Sequence, residues 1–90
     1  VSDVQALGVL EAARAARLHL PQDLSLIGYD DIDIAGFVGL STIRQPLEMS
    51  GQRAAELLIG ALNSEDRPAA FSDVLPLELI VRGTTGAAPR

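Results

Sequence analysis

The order of periodic segments in this sequence (helix, strand, helix, strand) predicts an α/β fold. Two observations set its limits. A parallel sheet takes helices on both faces, and the 90 residues supply too few elements to cover the apolar faces of the two helices. The chain also opens at Val1, almost inside a helix start and without an initiator methionine, which reads as a piece of a longer protein. The expected architecture is therefore an incomplete share of an α/β domain.

The first helix is marked by Ser2 and Gln5 at capping-box spacing, followed by Val4, Leu7, Leu10 and Ala13 at helical intervals. Gly8 inside it is tolerable where another backbone packs closely. Pro21 closes the element. Leu24 to Gly28 reads as a short strand, and the glycine-containing stretch after the acidic turn as a short, irregular or single-turn helix. Ser41 to Arg44 reads as extended. Pro46 suits the first position of a second long helix, striped by Leu47, Gly51, Ala54, Leu58 and Ala61 and ending near Asn63. A charged loop, "NSEDRP", follows. Val74-Leu75 and Leu77 to Arg82 read as two short strands broken at Pro76, and "TTGAAPR" as a mobile tail.

Composition excludes several classes. No apolar run approaches the ~20 residues that span a bilayer. There is no cysteine for a disulfide or thiolate metal site. The net charge of −5 argues against this segment gripping a phosphate backbone. His19 is the sole histidine, and no nucleophile and base can be assembled around it. No cofactor or metal is expected.

The densest acidic cluster, Asp30, Asp31 and Asp33, directly follows the apolar strand in "LSLIGYDDIDI". Loops at the carboxyl ends of strands build the ligand crevices of open α/β sheets. The same pattern also describes a capped turn, or weak oxygen ligation of Mg²⁺. From the residues alone, Asp31 and Asp33 read as solvated or capping.

Three stretches together resemble the carboxyl-terminal quarter of a LacI/GalR-family transcriptional regulator: "SDVQALGVLEAARAARLHLPQDLSLIGYDDIDIA", "LSTIRQPLEMSGQRAAELL" and "VLPLELIVRGTT". The resemblance runs through nearly the whole chain, in order and with close spacing. It implies part of a two-lobed, periplasmic-binding-protein-like (type I) sensor domain, in which two α/β lobes close on a small effector such as a sugar or nucleobase-like compound. Residues 1–42 would belong to the lobe distal to DNA. Residues 43–75 would form a crossing segment and helix of the proximal lobe, and 76–90 the return strand and tail.

The family implies a cytoplasmic, non-enzymatic regulator acting as a homodimer or tetramer. It would contact DNA only through an amino-terminal helix-turn-helix absent from these residues, and no membrane. The alternative is a periplasmic sugar-binding protein of the same fold.

Carried over one by one, Asp30 falls on the position whose carboxylate contacts effector hydroxyls. Ser2 stands where the family has a ligand-contacting Asn, keeping one donor but losing the amide's reach. Gln45 and Leu47 match positions that reach the cleft from beyond the second crossing. Leu7, Gly8, Leu10 and Phe37 match the region of subunit contact. Arg17 departs from the family's helix-ending Gly, so a differently ended helix is expected. The stretch before Leu40 also lacks the family's Asp-Pro-Pro.

Overall fold

The computed structural model describes residues 1–63 and 74–88. The chain divides into two compact units, Val1–Gln45 with Leu77–Arg90, and Pro46–Pro76.

The first unit begins with α1, Asp3–Ala15. Its capping box forms as the sequence requires: the Gln5 amide donates to Ser2 Oγ, and the Ser2 amide donates to Gln5 Oε1. Each bond satisfies an amide that has no partner within the helix. The other end corrects an expectation. Arg17 does not produce a different termination but itself adopts the left-handed conformation, φ 60°. Leu18 N then donates to Ala13 O and Arg17 N to Arg14 O, the two bonds of a Schellman motif.

After α1 the chain returns through 24–31, turns into α2 (Asp33–Val38), and enters β1 (Thr42–Arg44). Gly39 closes α2 with φ 72°, a conformation open to glycine. β1 pairs antiparallel with β2 (Glu78–Ile80), Thr42 opposite Ile80 and Arg44 opposite Glu78.

The strand expected at 24–28 does not form a ladder. That segment and the turn after it meet residues 41–44 at two isolated parallel bridges, Ile27–Ser41 and Asp30–Arg44. Among the described residues the only sheet is the β1–β2 pair, so this segment has no second strand on its far edge, and Leu24, Ile27 and Tyr29 stay over a third exposed.

Val74-Leu75 likewise form no strand. The β2 ladder is only as long as its three-residue partner β1. Most of the "NSEDRP" loop lies outside the described residues.

The expectation of a mobile tail is corrected for Thr84 and Thr85, while Pro89 and Arg90 lie outside the described residues. Thr84 is buried, donating through Oγ1 to Leu26 O and accepting from Ser41 N. Thr85 shares a hydrogen bond with the Ser41 hydroxyl.

The core of this unit is small and aliphatic: Ala6, Leu26, Ala35 and Leu40, with Val9, Leu10 and Leu20 packed against it. Large apolar side chains remain uncovered, Phe37 at 89% exposure.

The second unit contains α3, Leu47–Asn63. Pro46 precedes its first residue rather than occupying it, and its carbonyl accepts from Ser50 N. No residue of α3 is buried, and the striped positions Leu47 and Leu58 are exposed. The helix is amphipathic in sequence, with its apolar face uncovered among the described residues.

Candidate functional site

The site is built where the 24–31 segment leaves β1. Asp30 N donates to Ile43 O and Gly28 N to Ser41 O, fixing this backbone along β1. Asp30 and Asp31 then follow with φ 125° and 55°. Non-glycine residues in such conformations cost about 1–3 kcal/mol each and persist only where their surroundings over-determine them.

Asp30 is half-buried, and Gln45 Nε2 donates to its Oδ1 at 2.7 Å. Two residues singled out from the sequence are thus brought together. Asp30 Oδ2 carries no hydrogen bond among the described residues, which leaves a carboxyl oxygen able to accept from hydroxyl groups.

Ser2 caps α1 at the same end of this unit, where Asp3 N donates to Tyr29 O. Its hydroxyl oxygen accepts from Gln5, and its proton can still be donated. Leu47 lies on the first turn of α3 in the other unit. Leu7 and Leu10 are half-buried on α1. Gly8 is exposed, with open space where a β-carbon would stand, so no close backbone accounts for it among the described residues.

Asp31 corrects the reading of a solvated or capping carboxylate. Its side chain is only 11% exposed, and Arg44 Nε donates to it at 2.7 Å while Arg82 Nη2 lies 3.0 Å away. Arg44 also reaches Glu78, and Arg82 donates to Leu40 O. The Arg44 guanidinium first, with Arg82 adding to it, holds the Asp31 carboxyl below its ordinary value, against the opposing effect of burial. The same contact raises Arg44. A carboxylate neutralised by two arginines is a poor cation ligand, and among the described residues no three His, Cys, Asp or Glu converge on a metal position.

Sequence reasoning missed Asp3. It is fully buried at the first position of α1, accepting from Thr42 Oγ1 at 2.6 Å and from Ile32 N at 2.9 Å. Thr42 Oγ1 in turn accepts from Asp31 N at 3.3 Å. The one local signal was an acid placed just after a helix cap, which also describes any first-turn carboxylate.

A family of periplasmic binding protein-like domains matches residues 1–85. The transcriptional repressor CytR of Escherichia coli K12 is 41% identical over 90 residues, covering 98% of this chain and 26% of CytR. The chain belongs to the family of periplasmic binding protein-like domains. A LacI family transcriptional regulator from Enterococcus faecalis V583, solved with bound ribose, superposes with a TM-score of 0.83 at 33% identity, covering 98% of this chain and 33% of that one. A LacI family regulator from Arthrobacter sp. FB24 in complex with lactose gives 0.82 at 32% identity, covering 94% and 33%. The fold is therefore that of LacI-family effector-binding domains. The chain spans about a quarter of the length of the CytR-type relatives it matches.

Proposed function

We propose that this chain is the carboxyl-terminal share of the effector-binding domain of a bacterial LacI/GalR-type transcriptional regulator, with a sugar as effector. It is a sensor and not an enzyme. The observation that carries the proposal is Asp30: a strained, half-buried carboxylate at the exit of a strand-like segment, held by Gln45 and with one oxygen left to accept. Such a group suits a polyol and repels anions. The ribose and lactose in related structures support a sugar. Relatives named as transcriptional regulators and repressors favour regulation over transport.

On this reading the first unit contributes mainly to the lobe distal to DNA and the second to the proximal lobe. Ser2, Gln45 and Leu47 join Asp30 around the effector, while Leu7, Gly8, Leu10 and Phe37 contribute to a homodimer or tetramer. The open space beside Gly8 and the bare Phe37 ring are what such a contact would cover. DNA is contacted through an amino-terminal headpiece outside these residues, and the regulator works in the cytoplasm. The effector favours one lobe arrangement over the other, and its differential affinity for the two sets the change in operator affinity.

The test is calorimetric titration of the full-length protein with D-ribose and with lactose, in wild type and Asp30→Ala. At least one sugar should bind, and Asp30→Ala should weaken that binding by about tenfold or more. Binding of neither sugar, or undiminished binding by Asp30→Ala, would overturn the reading.

A further inference from the structure

Two consecutive non-glycine residues, Asp30 and Asp31, hold positive φ angles, so something must keep this turn from relaxing. Backbone bonds supply part of the restraint: Asp30 N to Ile43 O, Asp31 N to Thr42 Oγ1, and Ile32 N to Asp3 Oδ2. Among the described residues, Asp31 alone of the strained pair has charged partners for its side chain. Its Oδ2 accepts from Arg44, at the end of β1, and its Oδ1 faces Arg82, on the segment after β2.

The two arginines are themselves anchored, Arg44 to Glu78 and Arg82 to Leu40 O, while the Arg82 amide donates to Ser41 Oγ. A carboxylate pulled from two sides by anchored guanidiniums cannot rotate freely, and neither can the peptide that joins it to Asp30.

We infer that Asp31 is a positioning residue: its ion pairs with Arg44 and Arg82 lock the Asp30–Asp31 turn and so aim the Asp30 carboxylate. The inference rests on the reading of Asp30 as the effector-contacting group. Asp31 itself points at arginines of its own unit. Its contribution to binding passes entirely through Asp30.

The experiment combines two readouts in the full-length protein. The first is residue-resolved hydrogen exchange of Asp31→Asn, which keeps size and removes charge. Protection of the Asp30 and Asp31 amides should fall about tenfold or more, with the Ala6 amide of α1 unchanged. Arg44→Gln, which removes only the half-exposed partner, should give the same pattern more weakly.

The second readout is affinity for D-ribose, or for lactose where that sugar binds more tightly. Asp31→Asn should weaken it about tenfold. In an Asp30→Ala background the same substitution should add no further loss, because the group it aims is gone. Unchanged exchange at Asp30 and Asp31, or losses that simply add, would overturn the inference. If Asp30→Ala leaves sugar affinity untouched, or neither sugar binds, the effector reading falls, and exchange alone then decides whether Asp31 locks the turn.

Discussion

A β-carbon on Gly28 would collide with the carboxylate of Asp3, so the glycine of the strand exit and the buried acid of α1 depend on one shared space. The acid cannot withdraw cheaply, because its two oxygens hold Thr42 Oγ1 and Ile32 N. Leu40 closes the other side of that space. Gly28→Ala should therefore destabilise the protein by about 2–3 kcal/mol, through overpacking and broken bonds to a buried charge. Urea denaturation followed by circular dichroism measures this, and a loss within error of zero would mean that Asp3 can relocate.

The end of α1 gives a substitution of opposite sign. Arg17 occupies the left-handed position of a Schellman motif, and its side chain is exposed. Glycine meets no β-carbon penalty there, although it loses more freedom on folding. Arg17→Gly should stabilise the protein by about 0.5–1 kcal/mol, read as a higher melting temperature. A lower melting temperature would show that the arginine contributes more than its strain costs.

Features encoded within a few residues were legible in the sequence. The Ser2–Gln5 box and the end of α3 at Asn63 needed only neighbouring positions. The 24–28 segment looked like a strand because it is apolar, but a ladder requires consecutive paired residues along a neighbouring strand, and apolarity does not say whether the chain supplies them. Asp31 misled for a related reason: Arg44 lies thirteen residues away in sequence and Arg82 farther still, so nothing local revealed the pairing. Thr84 was taken for tail because its acceptor, Leu26 O, is 58 residues distant. Asp30 could be singled out only through the match of its surrounding stretch to the family pattern, since a turn carboxylate looks the same locally, whereas its strain and its bond to Gln45 required the folded backbone.

The Asp31 ion pairs imply a dependence on pH. Arg44, helped by Arg82, lowers the carboxyl below its unfolded value, so near those values the folded state binds fewer protons than the unfolded one. This contribution to stability is therefore complete above the ordinary aspartate range, near about pH 3.9, and is lost as pH falls through the folded value. Wild type should lose stability steeply below about pH 4, and Asp31→Asn should show a shallower slope in that window. Melting temperatures from pH 3 to 6 at fixed salt (a window of about three units around that value) check it. Parallel slopes for the two proteins would sever the link to Asp31.

Asp30 offers a way to separate strain from function. Alanine and glycine both remove the carboxylate and its bond to Gln45, but only glycine accepts φ 125° without penalty. Asp30→Gly should therefore be more stable than Asp30→Ala by about 1 kcal/mol, even though glycine has the more flexible unfolded chain. Both variants should bind sugar equally poorly, since neither can accept a hydroxyl proton at that position. Paired denaturation and titration curves decide the matter. If alanine proved the more stable of the two, the turn would not be strained at Asp30. If either variant bound sugar as well as wild type, the strain would have to serve something other than effector contact.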